Sequence, residues 1–515
     1  MMAGLWVALV FVLIGKTVGQ SLVENAMENL ASQFEYPDFS FDPYGFNSST
    51  SRQNRADTVN TSVLEQAFRD LVSLVEEPQP SKGEPFPKIP GPNRQDRVCI
   101  VGAGASGIHM ALSLKKRNFT DIVIYEKSNR IGGKSFDVTI DNTVNYMGAV
   151  FIESNYFDSV VPLAKEYGLS HLVQIPTPNF FMANSGFLPG SKVGIKEYMA
   201  GSLERITGVK DPLANFKQML LGMGRYISIH QEMFGYYKGE LMLRPTSNVL
   251  HRIRGTFMDF LKRENLFTLV PYFILTQTLQ GFGYLDEVGA LYGLMWNNPK
   301  LVMTLALSAL GQSRDPFSIY VFRDGFETIW KTIAEVEKLD IRFNSDIVKV
   351  ERHYNGVDIH LYNNRVRHQE ACGFLIWAAP IDEYFKTVNY GYDELALFET
   401  MKPEIFSTSL VKMTYDIRNG PYTVFIENMN RKVDHGVMMY DSSAGLKAVD
   451  NRDPVAKDRL DEKNDQEQMY TVGQMGKEFS NEEKLNNILS SHFVDNFNAT
   501  NLEILQTMSW EYFPR

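Results

Sequence analysis

Cysteine is scarce in this 515-residue sequence, which has two, Cys99 and Cys372. That number excludes a disulfide framework. Cys99 lies inside a short apolar strand and Cys372 just before another, so buried free thiols are expected; a single bridge would need the two backbones to meet. Basic clusters are scarce too. Lys and Arg total 51 against 61 Asp and Glu, a net charge of −10. No basic run is long enough to follow a phosphate backbone, so nucleic acid is not expected as a partner. The nine histidines are scattered. With neither H-E-x-x-H nor cysteine-rich spacing, no metal site is expected. No segment reaches about 18 uninterrupted apolar residues, the length a membrane-crossing helix needs.

What the chain does have starts at its N-terminus. Leu5–Ile14 is an apolar run of 10 residues, and Thr17-Val18-Gly19 offers small residues for cleavage. Residues 1–19 therefore read as a signal peptide, and the protein as secreted and extracellular. Asn-x-Ser/Thr triplets at Asn47, Asn60, Asn118 and Asn498 are candidate glycosylation sites that fit this reading. Asn118 falls in a turn expected to be exposed.

The densest signal follows Arg97. An apolar strand, Val98–Val101, runs into G-x-G-x-x-G formed by Gly102, Gly104 and Gly107, with Ser106 in the same turn. Such a turn lets backbone approach a pyrophosphate and packs the next helix close on the strand. It also aims that helix's free N–H groups at the phosphates. Glu126 ends a second apolar strand, 19 residues beyond Gly107. An acid there accepts hydrogen bonds from adenosine ribose hydroxyls and repels a 2′-phosphate, which disfavours NADP. Arg130-Ile131-Gly132-Gly133-Lys134 follows at once, then Asn145-Tyr146-Met147-Gly148-Ala149.

Together these residues resemble the flavin amine oxidase superfamily. There the arginine and glycines wrap the pyrophosphate a second time, and a Gly-Ala backbone lies against the flavin ring. The resemblance implies FAD as cofactor. Its contacts would be Gly102, Gly104, Ser106, Gly107, Glu126, Arg130, Gly132, Gly133, Lys134, Met147, Gly148 and Ala149, with Ile347 meeting the adenine through its backbone. It also implies an α/β fold: a Rossmann-like FAD-binding domain of amine oxidase type, a mixed α+β substrate domain and a helical cap.

Other features narrow the resemblance. Lys134 stands where many amine oxidases have arginine, and a Tyr146-Met147 pair opens the Gly-Ala segment. Gly281-Phe282-Gly283-Tyr284, Arg323-Asp324-Gly325 and the closing Trp510-Glu511-Tyr512-Phe513-Pro514 follow in order. In this order they are similar to FAD-dependent polyunsaturated (polyenoic) fatty acid double-bond isomerases. The resemblance implies a polyunsaturated fatty acid substrate, converted to conjugated products by internal hydride transfer through flavin N5. Phe282, Tyr284, Tyr320 and Phe322 are the candidate pocket aromatics; no catalytic residue is assigned. Bacterial isomerases carry an arginine before the strand that here begins at Asn179, where this chain has Pro176-Thr177-Pro178, so the carboxylate anchor is unassigned. A flavin oxidase of amines or amino acids is the alternative, and a flavin-inactive lipid-binding homologue a third. A homodimer is left open.

Composition divides the chain further. Residues 20–96 read as a leader and linker, with a Pro-rich stretch from Pro78 to Pro92. Residues 97–180 are expected to form the first part of the FAD-binding domain, 181–315 a helical substrate or cap domain, and 316–515 a mixed sheet region returning to the FAD domain. Met219, Met223, Tyr226 and Met233 recur at helical spacing and read as core packing ahead of a lipid tunnel. Asn355-Gly356 marks a hairpin, Phe374–Ala379 a buried parallel strand, and Asp441–Glu467 a charged loop. By the family's pattern, a final strand and helix that contact the flavin would follow Pro514, and they are expected to be missing.

Overall fold

The computed structural model describes residues 82–83, 91–141, 143–153, 160–175, 179–181, 192–235, 243–309, 319–398, 401, 404–414, 422–442, 467–477 and 481–512. The signal peptide, nearly all of the leader, Asn47, Asn60, Pro176-Thr177-Pro178 and Pro514 lie outside the described residues.

The nucleotide-binding half is built on a parallel four-stranded sheet in the order Asp340–Arg342, Ile122–Tyr125, Val98–Val101, Phe374–Trp377. Val98–Val101 is fully buried. A strand enclosed on both faces has no polar side to show, which is why it reads as an unbroken apolar run. Helices Ala105–Lys116 and Phe326–Val336 pack together over one face, where Ile108, Ala111 and Leu112 share a core with Ile329, Trp330 and Ile333. On the other face Val101, Val123 and Tyr125 meet Ile347, Val350 and Ile359. Those residues come from a three-stranded antiparallel sheet, Ser345–His353, Gly356–Asn363 and Val366–Cys372. Its first turn is the expected Asn355-Gly356 hairpin.

That second core corrects the expectation of free thiols. Cys99 and Cys372 are joined in a disulfide, with their Cα atoms 5.8 Å apart. The parallel register that sets Val98 beside Phe374 also delivers Cys372 to the layer into which Cys99 points.

The larger half centres on a seven-stranded sheet. Its order is Thr500–Tyr512, Glu404–Thr414, Gln468–Gly476, Gly436–Ser442, Tyr422–Phe425, Asn179–Phe181, Lys192–Val193. One face carries helix Glu482–Phe497, with Tyr440, Tyr470 and Val472 against Leu489 and Phe493. The other face joins the helices through Val424, Met438 and Met475. Helix Pro212–Phe234 starts cleanly because Asp211 accepts the Leu213 N–H and Pro212 needs no donor. Helix Phe257–Arg263 begins with a reciprocal Thr256–Asp259 capping box. Met219, Met223, Tyr226 and Met233 are all buried in the core these helices share. The expected loop from Asp441 needs correcting as well: Asp441 and Ser442 complete the strand Gly436–Ser442, and residues 443–466 lie outside the described residues.

Among the described residues no helix is long and apolar enough to cross a membrane. Nor does any group of three or more His, Cys, Asp or Glu among them converge as a metal site would require.

Candidate functional site

The glycine turn closes as its chemistry demands. Gly102 has φ +102° and donates its N–H to the Tyr125 carbonyl at 2.8 Å, turning the chain off its strand. A Cβ on Gly107 would sit 1.9 Å from the Gly102 carbonyl oxygen, so only glycine lets helix Ala105–Lys116 start so close to the strand. No side chain caps that helix at Gly104. Its first N–H groups and positive dipole end are left to an anion. Ser106, in the first turn, is exposed.

Glu126 reaches back across this turn. One carboxylate oxygen accepts the Ala103 N–H at 2.7 Å; the other accepts the Ser128 N–H at 2.8 Å and the Ser128 hydroxyl at 2.7 Å. The oxygen that accepts the Ala103 N–H keeps a lone pair for a ribose hydroxyl. Glu126 also donates its own N–H to the Arg342 carbonyl and accepts the Ser345 N–H. Ile347 is thereby brought near, two residues into the Ser345–His353 strand, where it is buried against the same layer.

The Arg130–Lys134 loop packs on the glycine turn. Gly132 donates to the Ala103 carbonyl at 2.9 Å, and Gly104 and Gly133 lie in contact. The Arg130 guanidinium donates to the Gly133 carbonyl at 2.6 Å, pairs with Glu327 at 3.6 Å and stands 4.5 Å from the Phe136 ring centroid. It shapes the loop from inside. Glu327 and Asp137 were not singled out in the sequence. Asp137 accepts the Glu327 N–H at 3.0 Å at the start of helix Phe326–Val336. Burial pushes its carboxyl up to about 7.

The Met147-Gly148-Ala149 segment is pinned to this loop. Met147 donates to the Phe136 carbonyl at 2.8 Å and Ala149 to the Lys134 carbonyl at 2.9 Å. Ala149 itself is exposed. The closing segment meets the same place: Trp510 donates its indole N–H to the Met147 carbonyl at 3.3 Å, and Lys134 donates to the Glu511 carbonyl. Strand Thr143–Tyr146 packs on strand Gln468–Gly476, and the Tyr146 hydroxyl donates to the Phe322 carbonyl at 3.1 Å.

The four pocket candidates do not share one environment. Phe282 is half-exposed and packs on Trp296 with ring centroids 4.1 Å apart. Tyr284 is buried beneath the Lys432 ammonium, 5.3 Å from the ring centroid. Phe322 is buried edge-on to Phe326, and Tyr320 packs against that same core. What adjoins Phe282 is the large sheet: a Cβ on Gly281 would lie 2.8 Å from Phe406. Strand alternation hides such residues in the sequence, since nothing in Phe406 alone tells which face it takes.

An uncapped helix N-terminus beside a crowded glycine turn, an acid poised for a ribose and an exposed Gly-Ala backbone define a dinucleotide-binding flavoprotein. The sequence pattern of flavin containing amine oxidoreductases matches residues 105–386, more than half of the chain. The chain belongs to that family, and its cofactor is FAD. The glycine turn, Glu126 and the Arg130–Lys134 loop have the donors and acceptors that would hold its adenosine and pyrophosphate.

Two curated relatives are similar over part of their length. The chain is 23% identical to the polyenoic fatty acid isomerase of Ptilota filicina over 216 residues, 40% of this chain and 42% of that one. It is 34% identical to tryptophan 2-monooxygenase of Pseudomonas savastanoi over 86 residues, 16% of this chain and 15% of that one. The chain thus matches less than half the length of either. Among solved structures, the CLA-producing fatty acid isomerase from P. acnes superposes with a TM-score of 0.60 at 16% identity, covering 82% of this chain and 87% of that one. A redesigned putrescine oxidase superposes with a TM-score of 0.53 at 12% identity, covering 81% and 84%. At these identities the likeness is one of fold.

Proposed function

We propose that this protein is a secreted FAD-dependent isomerase that moves double bonds in polyunsaturated fatty acids to conjugated positions. The observation that carries the reading is the half-buried apolar patch where the large sheet meets the helical core beside Met147. Phe406, Met439 and Gly473 share it: a Cβ on Gly473 would touch both Phe406 and Met439. It runs from the Gly281–Phe282 loop of the helical region toward Met147. A chain of methylenes and double bonds gains by burying itself on such a surface, at about 25 cal/mol per Å² of apolar area.

When bound, the flavin supplies a site that takes up a hydride and gives one back, so no net oxidant is consumed. The residues of this chain would bind the acyl chain, exclude water from the apolar face and set which methylene approaches the cofactor. The rings of Phe406 and Phe282 offer faces that favour positive charge developing on the substrate. The names of the two fatty acid isomerases among the similar proteins support the same substrate class.

Secretion is part of the proposal. A disulfide persists in oxidising compartments. Asn118 and Asn498 are both exposed, each in the left-handed conformation at a helix end.

Incubating the flavin-loaded protein with linoleate or arachidonate under argon tests the reading. Growth of conjugated-diene or -triene ultraviolet absorbance without oxygen uptake is expected; unchanged absorbance from a yellow, folded protein overturns it. The stretch shared with tryptophan 2-monooxygenase favours one other reading, an oxidase of amines or amino acids. That reading predicts peroxide with such substrates in air.

A further inference from the structure

We infer that the solvent-facing side of helix Ala290–Trp296 docks on an anionic lipid surface, setting Phe282, at the end of the apolar patch, against the layer from which an acyl chain would enter. The choice of a lipid partner rests in part on the fatty acid reading; the exposed face does not.

The apolar part of this surface is contiguous. Tyr292 stands three residues before Met295 and four before Trp296 on helix Ala290–Trp296, so the three are neighbours on one side of it. Tyr292 is 53% exposed and Met295 43%. Phe282, 41% exposed, packs on Trp296 and carries the surface on to Gly281 and Phe406. Ala290, Gly293 and Leu294 are buried on the other side, with Gly293 against the Phe257 ring. Large apolar side chains left together in water mark a contact surface.

A buried frame of hydrogen bonds holds that side outward. The Trp296 indole N–H donates to the Thr276 carbonyl at 2.5 Å, in the π-helical turn Ile274–Thr278. Asn297 is fully buried and donates to Gln277 Oε1 at 3.0 Å. Its side-chain oxygen accepts from the Thr276 hydroxyl at 2.5 Å, and its carbonyl from the Tyr226 hydroxyl at 2.6 Å. The helix cannot roll its exposed side inward without breaking these bonds.

Charge selects the partner. The chain carries −10 overall, yet residues 244–263 hold five Lys and Arg against one acid, Asp259. That stretch adjoins the apolar face. Ala290 donates to the Gly255 carbonyl at 3.0 Å, next to Arg254, and helix Phe257–Arg263 packs on helix Ala290–Trp296. Arg254, Lys262 and Arg263 are exposed. Arg263 donates to the Arg252 and Arg254 carbonyls, which gathers the basic groups, while Arg252 is itself paired with Glu232 and Glu264. Aromatic and thioether side chains beside exposed cations suit an interfacial contact: the apolar groups enter the acyl boundary and the cations meet the headgroups. A lipid layer that holds ionised fatty acid is anionic. It repels the acidic remainder of the chain, so the basic stretch sets which side approaches.

The test mixes the flavin-loaded, full-length protein with vesicles of phosphatidylcholine, alone or with phosphatidylglycerol, and reads binding by co-sedimentation. Binding to the mixed vesicles is expected, and weaker binding to pure phosphatidylcholine or at high salt. Tyr292→Ser combined with Met295→Ser should weaken it at least about tenfold, since two apolar side chains stay in water. Arg254→Gln combined with Lys262→Gln should cost at least about tenfold on the mixed vesicles alone. Lipid brominated in its acyl chains should quench the indole fluorescence, and Trp296→Phe should remove that quenching. Circular dichroism and flavin absorbance check the fold of each variant, and the exposed Arg254 and Lys262 carry the test if the apolar variant fails to fold. A wild type that binds neither vesicle overturns the inference, as does unchanged binding in both double variants. So does a dimer in sedimentation velocity that Tyr292→Ser with Met295→Ser dissociates, because the face then belongs to a second copy. The fatty acid reading is checked apart, with dissolved linoleate. Its conjugation should be unchanged in both double variants, and its absence from the wild type overturns that reading without touching the vesicle result.

Discussion

Cys99 and Cys372, 273 residues apart in sequence, are covalently joined between the first strand of the nucleotide fold and the sheet that packs beneath it. The bridge ties the strand leading into the glycine turn to the layer that holds Ile347. The glycine turn and the strand that carries Ile347 are thus fixed to one another.

Because a loop of that length is closed, the chain-entropy model assigns the bridge about 5 kcal/mol. Replacing both cysteines by serine should lower the urea midpoint and steepen the slope, because the unfolded chain is no longer held compact. Both sulfurs are buried, so a mild reductant should leave the folded protein's flavin absorbance intact and release flavin only when denaturant opens the fold.

Gly107→Ala places a methyl group against the Gly102 carbonyl. The helix must move off the strand, taking its N–H groups from the pyrophosphate. The purified variant should be colourless, with a far-ultraviolet circular dichroism spectrum close to wild type.

Glu126→Ala removes the acceptor of three hydrogen bonds within the protein and those expected to the ribose. Bonds to a charged group are worth about 1.5–3 kcal/mol each, so FAD affinity should fall at least tenfold. Titration of the apoprotein with FAD, followed by flavin fluorescence quenching, measures it.

Asp137 gives a pH dependence of known sign. Its folded carboxyl is raised to about 7 from an ordinary 3.8, so between these values the folded state holds a proton that the unfolded state has lost. Stability from this group is therefore full below about pH 4 and falls as pH rises toward 7, at up to about 1.4 kcal/mol per unit. Asp137→Asn should flatten the decline of melting temperature between pH 4 and 7. An unchanged slope would contradict the assignment.

If the chain passes through the secretory pathway, Asn118 and Asn498 should carry glycans. Peptide mapping after enzymatic deglycosylation would find both converted to aspartate in protein from a eukaryotic host, and neither in protein made without a leader.

The nucleotide turn was legible because its chemistry is local. Gly102, Gly104 and Gly107 meet one another within one turn of helix, and Glu126 lies one helix and one strand away, so spacing alone carries their geometry. The Phe326–Val336 helix and the Asn355-Gly356 hairpin were legible for the same reason: a helical apolar period and a two-residue turn are short-range signals.

The disulfide and the faces of the large sheet were not. Whether Cys99 reaches Cys372 depends on which strands are neighbours and in what register. Which face Asp441 takes depends on the same register, which a bulge between Val437 and Met439 shifts. The sequence by itself determined the flavin family and the glycine turn with its acid, since their geometry comes from one short stretch of chain. Only the tertiary structure decided which wall stands beside the Met147–Ala149 segment. That wall is assembled from strands and a loop far apart along the chain, and a side chain's face in a sheet has no meaning until its partners are in place.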